Sequence, residues 1–129
     1  MSKRIIPASM QAFYDGYHFA PAVLDGDHLR CSGVIGTTSD GSVSDDPATQ
    51  FTQAFDNLAE VLTEGGASFA DITEMTTFHV DLQKNLAAFM AVKDNYIKEP
   101  YPAWTAIGTT ELAIPGGIVE IRVTARVPG

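Results

Sequence analysis

The chain has 129 residues, a formal net charge of −8 and 45% hydrophobic residues, enough for a packed core and too many for a disordered chain. This acidity excludes the basic footprint that a nucleic-acid binder needs, and it argues against adsorption to an anionic membrane. An anionic small ligand stays open, because a local cluster of arginines overrides the global field.

The length fits one domain, 1–129. A domain of this size buries only about two-thirds of its unfolded surface, so help from a subunit interface is expected. The single cysteine, Cys31, allows no intrachain disulfide, which favours a reducing compartment. Lys3 and Arg4 are followed by no long apolar run, so the start does not read as a signal peptide. No segment approaches the apolar length of a membrane span. The expected location is the cytoplasm.

Residues 1–27 are rich in aromatics and turn formers and read as an irregular arm with one short strand around 20–24. Residues 28–36 alternate, with Leu29, Cys31 and Ile35 on one face and His28, Arg30, Ser32 and Val34 on the other, which predicts a strand. Turn formers fill 37–46. Asp46-Pro47 then reads as an N-cap followed by proline at the first helical position. Phe51, Ala54, Phe55, Leu58, Val61 and Leu62 recur at helical spacing until Gly65-Gly66 ends the helix.

Residues 72–82 alternate again, with Ile72, Phe78, Val80 and Leu82 on one face and Met75, Thr77, His79 and Asp81 on the other. A second helix is expected over 85–97, stopped by Pro100 and Pro102. Two last strands are expected over 104–113 and 118–127, joined by Ile114-Pro115-Gly116-Gly117. In the last one Val119, Ile121, Val123, Ala125 and Val127 face one way; Glu120, Arg122, Thr124 and Arg126 face the other. The pattern implies an α+β fold, a mixed sheet with two helices on one face. The second face would carry Arg30, Ser32, Thr77, His79, Glu120, Arg122 and Arg126 beside Val34, Met75 and Ile118. A face of that mixed kind serves as an oligomer interface or a ligand cleft.

Five landmarks in order carry a resemblance along nearly the whole chain: Ser32-Gly33, Phe55-Asp56-Asn57-Leu58, Thr76-Thr77-Phe78, Tyr101-Pro102-Ala103 and Val119-Glu120-Ile121. With them the chain resembles the RidA/YjgF family of reactive-intermediate deaminases. The resemblance implies a chorismate-mutase-like fold, a homotrimer, small-molecule clefts between subunits, and hydrolysis of enamine or imine acids without metal or cofactor. It also exposes departures. Where deaminating members carry an arginine that grips the substrate carboxylate, this chain has Trp104, and the usual cysteine is Ala106. The aromatic hydroxyl of the arm aligns with Phe19, with Tyr17 two residues away, and the usual asparagine of the second helix is Lys93. Ser32-Gly33 and Glu120 are retained. The Tyr-Pro-Ala-Trp-Thr-Ala run and Phe78-His79 look like the YjgH branch, which lacks that arginine.

Enamine or imine hydrolysis needs a group to hold the substrate and an acid/base to move the protons of water. Glu120 is the candidate acid/base; its structural alternative is an ion pair with Arg30, Arg122 or Arg126. Trp104 either lines the cleft or packs at a subunit seam. Arg122, or more weakly Lys93 or Arg126, could replace the missing arginine. His79 reads either as a proton shuttle or as a hydrogen-bonded structural residue. Ser32 is expected to donate a hydrogen bond to ligand, and Cys31 to be an inert core thiol. No His, Asp or Glu spacing suggests a metal site. Two functions follow: a cofactor-free deaminase, or a trimer that binds a metabolite without turnover.

Overall fold

The computed structural model describes residues 2–128. Its strands are β1 (Ser2–Ile5), β2 (Ala22–Asp25), β3 (His28–Cys31), β4 (Val34–Ile35), β5 (Ile72–His79), β6 (Ala103–Gly108) and β7 (Val119–Arg126). Two α-helices, α1 (Pro47–Glu64) and α2 (Leu82–Lys93), complete the frame. The strands form one mixed sheet in the order β1-β2-β3-β7-β5-β6, with β4 also on β7. Only β5 and β6 pair in parallel, so the last two strands of the chain are not neighbours: β5 lies between them.

The first helix forms as its sequence predicts. The Asp46 carboxylate accepts hydrogen bonds from the Thr49 amide (3.0 Å) and hydroxyl (2.6 Å), and Pro47 follows the cap. Phe51, Ala54, Phe55, Leu58, Val61 and Leu62 are all buried. Each contributes hydrophobic stabilisation, about 1.5–3 kcal/mol for the larger side chains. Gly65 ends α1 where a side chain would collide with Leu29 of β3. The two helices meet through an aromatic layer. Phe55 stacks on Tyr96 at 4.9 Å and on Phe89 at 5.7 Å, and Phe51 meets Phe89 edge-on at 5.3 Å. The second helix starts three residues earlier than expected, after Asp81 in left-handed conformation (φ 57°), and ends at Lys93.

The arm is more ordered than expected. Ser2–Ile5 form an edge strand on β2, which runs Ala22–Asp25, and Phe13–Tyr17 form a π-helical turn. Only Ile5 of β1 is buried, so the strand shows no alternation from which to infer it. Edge strands of this short, charged type protect a sheet from further pairing.

Two phase shifts reassign the faces of the sheet. The expected strand 28–36 breaks at Ser32-Gly33, leaving β3 and β4 as separate partners of β7. Leu29 and Cys31 are buried before the break and Val34 after it, while Ile35 pairs with Glu120 on the opposite face. In β5 a bulge between Ile72 and Glu74 inserts one residue. Ile72, Met75, Thr77 and His79 are therefore buried beneath the helices, and Phe78 turns outward opposite Glu120. The expectation that Met75, Thr77 and His79 share the polar face is corrected by this bulge, because one extra residue reverses every later side chain. The last strand, β7, alternates as expected, with Val119, Ile121, Val123 and Ala125 buried.

Candidate functional site

The residues singled out in sequence fall into two groups, on opposite faces of the sheet. The first surrounds Glu120. The strand β7 points its carboxyl away from the helices, across Gly33, where a Cβ would collide with it. Beside it opens a cavity of about 460 Å³ whose lining includes Tyr17, Phe19, Ser32, Gly33 and Glu120. The break after Cys31 makes this opening. The Ser32 amide stays with the β2 side, donating to the Pro21 carbonyl (2.9 Å) one step beyond the Ala22–Cys31 pair, while pairing with β7 is interrupted, and the Ser32 hydroxyl donates to the Ala20 carbonyl (2.7 Å). Ser32 thus spends its donor on the arm, which corrects its expected role as a donor to ligand; its oxygen can still accept.

The arm roofs the cavity. His18 adopts a left-handed conformation (φ 62°) and turns the chain between Tyr17 and Phe19. Phe13 stacks on Phe19 at 5.8 Å and leans on Tyr17 at 6.2 Å. Both Tyr17 and Phe19 are exposed. Burial raises the Glu120 pKa above its ordinary value by removing water from the charged form. Among the described residues Glu120 makes no ion pair: Arg30 pairs with Asp25 at 3.5 Å and Arg126 with Asp27 at 3.0 Å. Arg122 shares its face and strand, two residues on, but is exposed and does not line the cavity.

The second group lies beneath the helices. Trp104 and Ala106 of β6 pair with Met75 and Thr77, which puts them on the buried side of the sheet. The Trp104 indole N–H donates to Thr77 Oγ1 at 2.9 Å, and Thr77 Oγ1 lies 2.7 Å from His79 Nε2. Phe89 packs against both rings, 4.7 Å from His79 and 6.0 Å from Trp104. The Lys93 ammonium sits 4.8 Å from the Trp104 ring centroid, a cation–π distance, and 3.4 Å from the Asp94 carboxylate. Burial lowers the His79 pKa, favouring the neutral ring. Since Trp104 donates to Thr77, the threonine hydroxyl is free to donate to Nε2, which leaves the proton on Nδ1. That atom is the one buried side-chain polar atom without a partner among the described residues.

Within one protomer Trp104 and Glu120 therefore lie on opposite faces of the sheet. The shuttle role of His79 also lacks its partner, since the whole sheet separates the ring from Glu120. Sequence reasoning missed Phe13, Ile35 and Ile114 of the cavity wall and Asn57, which also borders it. Asn57 Nδ2 donates to the Ile35 and Thr37 carbonyls, each at 2.9 Å, and so fixes the chain after the break. Its place inside the Phe55-Asp56-Asn57-Leu58 landmark was the available signal. Cys31 is buried and its thiol pushed up to about 12, consistent with an inert core residue. Among the described residues no three His, Cys, Asp or Glu side chains gather as a metal site, and no helix is long and apolar enough to cross a membrane.

Known proteins share this fold. The chain is 38% identical over 125 residues to the RutC family protein YjgH of Escherichia coli K12, covering 96% of this chain and 94% of that one. A solved structure of protein YjgH superposes with a TM-score of 0.90 over 98% of this chain and 97% of the other. Protein mmf2, mitochondrial, of Schizosaccharomyces pombe is 29% identical over 127 residues, covering 97% and 98% of the two chains. The family profile described as Endoribonuclease L-PSP matches residues 10–127. By sequence, fold and the span of the match, this chain belongs to the RidA/YjgF family.

Proposed function

We propose that this chain is a cofactor-free hydrolase of small imines or enamines, with Glu120 as the group that takes a proton from water and returns it to the leaving nitrogen. One observation carries the reading: a half-buried carboxylate without a counter-ion among the described residues, at the wall of a cavity of about 460 Å³. A raised pKa brings a carboxyl closer to the range in which it both accepts and donates at neutral pH. The endoribonuclease of the family's description is not favoured, because no described Lys or Arg lines the cavity to hold a phosphate. Ammonia release tests the proposal, with imines generated in place by amine and amino-acid oxidases. Wild-type release with loss in Glu120→Gln supports it; no release above buffer from folded protein ends it.

The second reading is a metabolite-binding protein without turnover. It is favoured by Trp104, which stands where deaminating relatives carry the carboxylate-gripping arginine. Ligand-induced thermal shift without product would support it.

In either reading 1–129 acts as one domain within a homotrimer in the cytoplasm. Support for assembly comes from the sheet face that no helix covers and from the unpaired outer edge of β6 among the described residues. Exposed Tyr101 and Ile107 lie just before and on that strand. In such a trimer the β6 edge of one protomer brings Trp104, Ala106 and Lys93 toward the Glu120 cavity of the next. Light scattering measures the mass. Mixing Trp104→Ala with Glu120→Gln subunits tests the shared site, since only shared clefts regain activity.

A further inference from the structure

We propose that the Glu120 cavity selects a cation that carries an aromatic or apolar group and no carboxylate: a protonated imine or its parent ammonium. The inference rests on the reading of this cavity as the ligand site, and it names the ligand's charge.

Three observations meet here. The first is the charge inventory of the wall. Among the described residues Glu120 is the one carboxylate in the lining, and no Lys, Arg or His accompanies it. The second is that the nearby cations are committed or turned away: Arg30 is held by Asp25 and Arg126 by Asp27, Arg122 is exposed outside the cavity, and Lys93, which a neighbouring protomer would bring near, is held between Asp94 and the Trp104 ring. A ligand carboxylate would thus meet a like charge with no counter-ion, in a chain of net charge −8. The third is the roof. Phe13, Tyr17 and Phe19 cluster in the lining, and Ile35 and Ile114 supply apolar wall below. Aromatic faces attract cations, and the same rings stack on a planar apolar group. Carboxylate and rings therefore point to one ligand charge, and the hydrophobic wall to its other end.

The matching reaction balances without a cofactor: R–CH=NH2⁺ and water give R–CHO and NH4⁺. Water oxygen bonds to the imine carbon, and the C=N π pair moves to nitrogen. Glu120 takes one water proton and then delivers it to that nitrogen. The C–N bond breaks as the oxygen lone pair forms C=O, and the hydroxyl proton leaves with ammonia as ammonium. The reaction class that supplies such a substrate is the two-electron oxidation of a primary amine, not of an amino acid.

The test titrates the full-length protein, in its native assembly, with 2-phenylethylammonium, 2-phenylethanol and 3-phenylpropanoate at pH 7.5 by calorimetry. The ammonium is expected to bind about tenfold or more tightly than the carboxylate, with the alcohol between them, and Glu120→Gln is expected to erase the difference. Equal or tighter binding of the carboxylate overturns the inference, as does failure of all three probes to bind. A preference that survives in Glu120→Gln overturns it too. Turnover separates this inference from the hydrolase reading. Cation preference without ammonia release leaves the ligand class standing and removes the catalytic role. Release confined to 2-imino acids does the reverse.

Discussion

Gly33→Ala tests the contact on which the cavity depends. Gly33 is not in the left-handed region, so its backbone accepts alanine without conformational strain. By itself the change should stabilise by about 0.4–1 kcal/mol, through the lower entropy of the unfolded chain. The added Cβ, however, would overlap Glu120 along its length: the two nearest carbons, Cγ and Cδ, would each lie 2.6 Å away. Because Cγ is included, moving the carboxylate tip alone does not relieve the overlap. The side chain must leave its rotamer or the strands must part, which costs about 1–3 kcal/mol. The net expectation is a loss of about 0.5–2 kcal/mol in wild type. In Glu120→Ala the overlapping atoms are gone, and the same Gly33→Ala change is expected to stabilise. Urea denaturation of the four proteins at one protein concentration measures this cycle, with a coupling of about 1–3 kcal/mol expected. An equal cost of Gly33→Ala in both backgrounds would show that Glu120 does not pack over Gly33.

Three further outcomes concern the helix side of the sheet and its supports. Trp104→Phe keeps the ring against Phe89 but removes the N–H donated to Thr77; it should lower stability by about 0.5–1.5 kcal/mol, and Thr77→Val combined with it should cost less than the sum. Buried His79 has a lowered pKa, so the unfolded chain binds its proton at higher pH than the native one. Its contribution is therefore intact above the unfolded value of 6.5 and is lost as pH falls toward the folded value. His79→Gln should flatten stability in that window, and an unchanged slope would place the titration elsewhere. Gln50 is buried and makes three hydrogen bonds to two other chain segments, donating to the Ser44 carbonyl (3.0 Å) and the Gly116 carbonyl (3.1 Å) and accepting from the Ile118 amide (2.6 Å). Gln50→Leu should cost about 1–3 kcal/mol or more and raise amide exchange at Ile118.

Periodicity made α1 and β7 legible. The helix declares itself by cap, proline and six apolar positions, and β7 by an unbroken alternation, because nothing interrupts either count. The faces of β3, β4 and β5 were not legible for the converse reason. A period of two carries no record of a skipped residue, so the bulge after Ile72 and the break at Ser32-Gly33 silently reverse the side chains beyond them. Only Gly33 gave a local sign, as glycine inside a strand often marks such a place. The family resemblance named Gly33 and Glu120 as retained site residues, and the geometry brings the two together. The separation of Trp104 from Glu120 was out of reach: the side on which β6 presents its tryptophan is set by its register with a strand whose own phase had shifted. The aromatic roof was missed because the arm between β1 and β2 follows no repeat.

The bulge in β5 also has a genetic meaning. It is one residue of slack in a strand whose faces are otherwise set by a strict count. Losing the single codon for Thr73 would regularise the strand and turn no other side chain over, because Ile72 already pairs with Ala125, Glu74 with Thr124 and Met75 with Val123. His79 would stay beneath the helices and Phe78 opposite Glu120. Along most of a strand a one-residue deletion reverses the side chains beyond it and ruins the core. At this one position the sheet can lose a residue and keep the chemistry of both faces, so length variation among relatives is tolerated here and not a few residues further on.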